Sequence, residues 1–190
     1  MSVSADSLQK QHHSSQSNFS VSITPVFPLD DEEVDFDQID CEPVGTEINL
    51  VDDAELPNMS IVEILNPKSY VKFNAQCDDA FPMLTVLFKF IDKYFSLFVV
   101  VMDTAGRKRI IDVSNKRSII TIDKDTAKLP LIAKDGWRHI SLNLNDVLAH
   151  AFGTKLRKSV EVTVTGSCRI AKIYFHAAMY ADPQLPPFLR

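Results

Sequence analysis

Apolar and polar residues alternate along much of the second half of the chain. The alternation is clear over residues 139–144 and again over residues 160–164. A period of two places every second side chain on one face of a strand, so each segment has one buried and one solvated face. Residues 95–102 are apolar almost throughout, which is typical of a central strand covered on both faces. The pattern predicts an all-β domain.

Shorter apolar runs predict further strands at residues 107–113, 117–123, 129–133 and 168–176, with a turn that ends at Gly106 before the first of them. One segment instead has helix signals: a cap at Asn145–Asp146, apolar residues at positions 147, 148, 151 and 152, and a terminal Gly153. About seven to ten short strands with one short helix predict an antiparallel β-sandwich of jelly-roll type.

Charge divides the chain near residue 60. Residues 1–60 hold 13 acidic side chains and one lysine, a charge of −12, whereas residues 61–190 hold 19 cations and 12 anions, a charge of +7. The acidic part is rich in Ser and Gln at its start and dense in carboxylates at 30–40, and it buries too little apolar surface to offset its conformational entropy. We predict an acidic, poorly structured low-complexity tail over 1–60 and a β-sandwich domain over 61–190. Apolar residues such as Phe19, Ile23 and Phe27 leave open that part of the tail is a strand or a ligand-like segment held against something else.

Motifs for catalysis or for cofactor binding do not stand out. The five glycines are isolated, which excludes a glycine-rich phosphate loop, and Gly-x-Ser-x-Gly is absent. Cys41, Cys77 and Cys168 lack zinc or disulfide spacing, and the histidines lack a metal-motif register. An apolar stretch of about 18 residues, an RNA-recognition signature and a secretory signal are also missing. We predict an intracellular, non-enzymatic protein without cofactor or metal, which binds neither nucleic acid nor membrane.

Cations cluster on or beside the predicted turns and strands of the second part. They are Arg107, Lys108, Arg109, Lys116, Arg117, Lys155, Arg157, Lys158, Arg169 and Lys172. Edge strands commonly carry Lys and Arg as protection against aggregation. A domain of charge +7 also attracts polyanions, such as the acidic surface of tubulin. We therefore predict these ten cations as partner-binding residues.

Three blocks of sequence resemble a known family. They are DKYFSLFVVVMD (92–103), KDGWRHISLNLNDVLAHAFG (134–153) and CRIAKIYFHAAMYADPQLPPF (168–188). In their order and spacing they resemble the domain shared by cilia- and flagella-associated protein 20 and its relatives. The resemblance covers about residues 61–189. Because the N-terminal segment is acidic where the family's is basic and hydrophobic, it indicates a divergent member or paralogue.

The resemblance implies a β-sandwich akin to carbohydrate-binding modules and a structural, non-enzymatic role in the microtubule cytoskeleton of cilia, flagella and centrioles. It implies that the partners are tubulin and neighbouring axonemal or microtubule-associated proteins. The implied location is the axoneme or basal body, as an inner-junction or microtubule-inner component of the doublet.

The burial or exposure of aromatic side chains distinguishes two interpretations of the function. Trp137, Phe152, Tyr174 and Phe175 are predicted as structural core. The alternative function is a carbohydrate- or other ligand-binding module, which requires exposed aromatic rings on a concave face. For that, Tyr70, Phe73, Tyr94 or Trp137 must point outward.

Overall fold

Eleven strands and one α-helix make up the part of the chain that the computed structural model describes, residues 22–29, 41–132 and 134–189. The strands are β1 (Ile23–Phe27), β2 (Cys41–Val44), β3 (Ile48–Asp53), β4 (Leu56–Ile64), β5 (Tyr70–Asp78), β6 (Met83–Asp103), β7 (Lys108–Ser114), β8 (Thr121–Ile122), β9 (Thr126–Pro130), β10 (Trp137–Asn143) and β11 (Leu156–His176). Helix α1 (Leu144–Phe152) joins β10 to β11, and two 3-10 turns, Asp182–Gln184 and Pro187–Leu189, follow β11. At nine residues, α1 falls well short of what a membrane-crossing helix needs, and the described ranges contain no longer helix.

The two longest strands, β6 and β11, have 21 residues each and pair with each other through both of their halves. The pairing is interrupted midway, where Gly166 lies opposite Phe95 and Cys168, two residues later, lies opposite Phe90. Phe88 and Phe95 would lie more than 20 Å apart on a straight strand, at about 3.3 Å per residue. Their rings nevertheless stack with 4.4 Å between centroids. Strand β6 therefore folds back over itself at the interruption.

This bend produces the two layers of a sandwich from one hydrogen-bonded sheet. Layer A, in order, contains β2, β5, the first half of β11, the second half of β6, β7, β9 and β8. Layer B contains β3, β4 and β1 beside the second half of β11, followed by the first half of β6 and then β10. Buried side chains of both layers form one core. The predicted all-β sandwich is thus confirmed; all strand pairs are antiparallel except β7 with β9, which is parallel.

The folded body begins earlier than the boundary expected at residue 61. β1 pairs with β11, and Phe27 is fully buried with its ring 5.8 Å from that of Phe73. β2 pairs with β5, and the expected boundary falls inside β4. A few well-placed apolar residues are enough to hold these strands, although the surrounding composition is acidic. Residues 22–29 and 41–60 are therefore corrected from tail to body, and the rest of the expected tail lies outside the described residues.

Two strands and the helix cap differ from what the sequence predicted. The strand expected at 117–123 is reduced to β8 because Arg117 turns back to pair with Asp112 of β7. The next expected strand, 129–133, is shifted to β9. The helix is capped by Asn143, whose Oδ1 accepts the N–H of Asp146 at 3.3 Å, and it ends at Gly153 as expected. Asn145, the expected cap, instead accepts the N–H of Leu156 at 2.8 Å.

The four residues expected in the core occupy three different places. Phe175 is fully buried between the layers, and Phe152 packs at the edge of that core. Tyr174 belongs to a separate cluster with Leu185 on the outer face of layer B. Trp137 is half-buried and packs against another outer cluster, formed by Ile61, Leu87 and Ala171.

Gly166 allows the close approach of β11 to β6 at the bend. Its φ is +109°, a conformation that residues with a side chain rarely adopt. A Cβ placed there would lie 2.1 Å from the carbonyl oxygen of Tyr94. Both the backbone conformation and the contact therefore require glycine.

We expect Gly166→Ala to lower the free energy of unfolding by about 2–4 kcal/mol, because backbone strain and the collision with Tyr94 add together. Gly106→Ala is the matched control, since Gly106 also has a positive φ, +74°, but no atom lies within 4 Å of the position that an alanine Cβ would occupy there. That change should cost about 1 kcal/mol. Urea denaturation measures the free energy of unfolding of both variants. Equal losses of stability would contradict the assignment of the bend to Gly166.

We expect Trp137→Ala to lower the free energy of unfolding by about 2–3 kcal/mol. This is less than the ~3–5 kcal/mol typical of a fully buried aromatic side chain, because Trp137 remains partly in contact with solvent. Phe175→Ala serves as the fully buried reference and should cost more. An unchanged denaturation midpoint for Trp137→Ala would show that the ring is free to act as a binding platform.

Candidate partner-binding surface

Five of the ten predicted cations come together at one end of layer A. The turn over residues 103–107 joins β6 to β7, and the N–H of Thr104 in this turn donates to the carbonyl of Lys155 at 2.9 Å. On the outer face, Lys158 of β11 lies opposite Met102 of β6, which lies opposite Lys108 of β7. Neighbouring strands are about 4.8 Å apart, so the backbones of the two lysines are about 10 Å apart.

These five cations, Arg107, Lys108, Lys155, Arg157 and Lys158, are called the basic surface below. All five are exposed, and none forms an ion pair with the described residues. The nearest carboxylate in register is that of Asp78, opposite Lys158 on β5, where it accepts the N–H of Ala80. Within the described residues, the basic surface is therefore a cluster of exposed cations without ion pairs, which can contact an anionic partner.

Arg109 supports the basic surface from inside. Only 4% of it is exposed; its Nε donates to Asp103 at 2.8 Å, its Nη1 to Asp125 at 2.8 Å, and its guanidinium lies 4.3 Å from the Phe152 ring. Burial alone would raise the pKa of Asp103, but hydrogen bonds from the Arg107 N–H and from Arg109 outweigh it and hold that pKa below its ordinary value. Arg109 thus fixes the turn against the end of α1 and is not itself accessible.

Three further predicted cations are also used within the fold. Arg169 donates to Asp53 at 2.7 Å and to Glu63 at 2.8 Å on the outer face of layer B. Burial acts to raise the pKa of Asp53, but hydrogen bonds from the Glu55 N–H and Arg169 lower it overall. Arg117 pairs with Asp112, and Lys172 is buried.

Lys116, the tenth predicted cation, lies apart from the basic surface. Its Nζ is 5.1 Å from the centre of the exposed Tyr94 ring, near the bend. Lys108 and Ser114 are the two ends of β7, so six steps of about 3.3 Å put them about 20 Å apart, and Lys116 follows two residues after Ser114. Lys116 is therefore exposed but does not add to the same cluster.

A cavity of about 180 Å³ on layer B is lined in part by residue types that can act in catalysis. It is lined by Thr85, His139, Ser141, Tyr174, His176, Met179, Tyr180 and Leu185. The Nδ1 of His176 donates to the Ala178 carbonyl, so its Nε2 accepts from Thr85 at 2.9 Å, and Ser141 bonds to Thr85 rather than to the imidazole. Burial lowers the pKa of His176, which keeps the ring neutral. Ser141 and His176 are therefore not in the direct contact through which a base activates a nucleophile.

Thiol and metal chemistry receive no support from the described ranges. Cys77 and Cys168 are buried, and burial raises the pKa of both thiols, which disfavours the reactive thiolate. Within residues 22–29, 41–132 and 134–189, no three His, Cys, Asp or Glu side chains are grouped to hold a metal ion.

The aromatic residues required for a carbohydrate platform do not share an exposed face. Phe73 is fully buried in the core, and Trp137 is half covered by its cluster on layer B. Tyr94 is exposed beneath Lys116, and Tyr70 is half-buried beside Lys72. The structure therefore favours the basic surface over an aromatic platform as the candidate site.

Two curated proteins that are similar to this chain carry the same name. Over 106 residues the chain is 32% identical to Cilia- and flagella-associated protein 20 of Paramecium tetraurelia, a match that covers 56% of each. Over 105 residues it is 33% identical to the protein of the same name from Chlamydomonas reinhardtii, covering 55% of each. The chain thus spans about half the length of the curated relatives it matches.

Among solved structures, a family 11 carbohydrate-binding module from Clostridium thermocellum, in complex with a β-1,3-1,4-mixed-linked tetrasaccharide, aligns with a TM-score of 0.47 at 9% identity. The alignment covers 85% of this chain and 99% of the module. The family model described as CFA20 domain matches residues 15–190. Because that match includes every strand and helix described above, the chain belongs to the CFA20 domain family.

Proposed function

We propose that this chain is a non-enzymatic structural protein of cilia or flagella that binds microtubules through the basic surface. The observation that carries the proposal is the cluster, at one end of layer A, of five exposed cations that form no ion pair with any described residue. The curated relatives in the same family are named for cilia and flagella, which supports the cellular setting. A tubulin polymer presents an acidic surface of the kind that such a cluster attracts.

The rigidity of the basic surface supports a structural role. Lys108 and Lys158 are carried by paired strands, and the turn before β7 is fixed by the buried pair of Arg109 with Asp103. Charges held on a rigid framework lose less conformational entropy on binding than charges on a loop. In the cavity on layer B, Ser141 bonds to Thr85 rather than to His176, so these two residues do not form a nucleophile–base pair.

A more specific part of the proposal concerns where in the cilium the chain is located. We propose that the chain is a component of the doublet microtubule, in the axoneme or basal body, with tubulin and a neighbouring microtubule-associated protein as partners. Support comes from the family membership and from the separation of the basic surface from the exposed Tyr94–Lys116 end by about 20 Å along β7. A tagged full-length chain should decorate axonemes or basal bodies, and exclusion from these structures would contradict this part.

We expect the triple variant Lys108→Glu, Lys155→Glu, Lys158→Glu to weaken co-sedimentation with microtubules by about tenfold or more at low salt. Reversing three charges replaces attraction to an acidic polymer by repulsion. Raising the salt should weaken the parent in the same way, because the screening length shrinks from about 10 Å at 0.1 M to about 3 Å at 1 M.

The matched control is Lys68→Glu, Lys116→Glu, Lys134→Glu, which changes the net charge equally at exposed lysines outside the basic surface. It should retain most of the binding. Equal losses in the two triple variants would contradict a localised contact, and a parent that fails to co-sediment at any salt concentration would contradict microtubule binding itself.

A further inference from the structure

Layer A extends further than layer B on one side of the sandwich. Beyond β6, layer A continues through β7, β9 and β8, whereas layer B continues only with β10. Helix α1 covers part of the inner face that layer B leaves open. A groove of about 250 Å³ remains between α1 and the strand pair β8–β9.

The groove is almost entirely apolar and is open to solvent. Its apolar lining consists of Ile120, Ile122, Ala127, Leu129, Val147 and Ala151. Ile120 is 63% exposed, Ile122 is 50% exposed, and the adjoining Ile119 is 71% exposed. Contiguous exposed apolar surface of this kind, beside a cavity, is typical of an interaction site.

The strand that borders the groove favours an extended occupant. β8 pairs with β9, and no strand of the described residues pairs with its other edge. An extended segment added at that edge would bond to the backbone groups of β8 that face away from β9. Alternate side chains of such a segment would then face the apolar lining, because successive residues of a strand point to opposite faces.

Charge at the groove favours an occupant that carries a cation. Asp146 lies on the α1 wall and forms no ion pair within the described part of the chain. On the same wall, the Nδ1 of His150 donates to the carbonyl of Asp146 at 2.7 Å. The groove therefore complements a positive group, whereas the basic surface complements a negative one.

The same charge disfavours a second copy of this chain as the occupant. A two-fold contact through β8 would place the same patch of each copy against the other. The Asp146 carboxylates of the two copies would then lie in the same interface, and like charges in an interface are repulsive.

We propose that this groove binds an extended segment of another protein, which pairs with the free edge of β8, places alternate apolar side chains against α1, and carries a lysine or arginine beside them. The interaction is separate from microtubule binding, because the groove contains none of the five cations of the basic surface. One chain can thus hold an acidic partner and a basic peptide at the same time.

The test is an unbiased peptide selection on the full chain. A phage-displayed library of random dodecapeptides is panned against the immobilised protein, and the consensus peptide is synthesised and its affinity measured by fluorescence polarisation. We expect a consensus with apolar residues at alternate positions and at least one lysine or arginine. Ile120→Asp should weaken its binding by about tenfold or more, since a charge enters the apolar contact.

Ile132→Asp is the matched control, because Ile132 is 87% exposed and does not line the groove. It should change the affinity less than about twofold. Asp146→Lys should also weaken binding of the cationic consensus peptide, and replacing the cation of that peptide by a neutral residue should remove the effect. Both isoleucine variants should co-sediment with microtubules as the parent does, so the outcome is independent of the proposed function.

Several results would overturn the proposal. No enrichment over a bare surface, an acidic consensus that is lost in Lys158→Glu, or equal effects of Ile120→Asp and Ile132→Asp would each exclude a cationic peptide in the groove. A dimeric parent that becomes monomeric in Ile120→Asp, measured by light scattering, would show that a second copy occupies it instead.

Discussion

The close contact between Gly166 and the Tyr94 carbonyl is the constraint on which the rest of the structure depends. It lets β6 and β11 bend together, so that each strand contributes to both layers and one core is enough to hold them. Every other strand of the described residues is connected to these two by pairing, either directly or through one or two intermediate strands. The position of the basic surface at the end of layer A follows from this arrangement, because its cations flank the far ends of the same two strands.

Whether a cation is exposed or forms an internal ion pair depends on the face of the strand to which its side chain points. Lys108 and Arg109 are adjacent in sequence and point to opposite faces of β7, so one is free and the other is buried against Asp103. Arg169 is paired with Asp53, 116 residues earlier in the chain. Composition and local clustering locate such groups but cannot separate surface charge from internal charge, because the deciding partners are distant in sequence. The basic surface was therefore only partly predictable.

The fold class was predictable because it depends on a local period of two that β10 and β11 display plainly. The start of the domain was not, since net charge outweighed the few residues that matter, above all Phe27, whose burial is decided by Phe73 on another strand. The groove was likewise not predictable. The isoleucines near β8 indicated a strand, but their exposure depends on layer A being wider than layer B, which is a property of the whole sheet.

Strands shared by both layers also determine how the molecule carries mechanical load. A pull that separates the basic surface from the opposite end of the sandwich acts along β6 and β11, whose antiparallel pairing continues on both sides of the bend. The load is then carried by two continuous backbones that lie side by side between these ends. Two layers joined only by loops would move relative to each other under such tension. Here the continuous backbones of β6 and β11 connect the two layers.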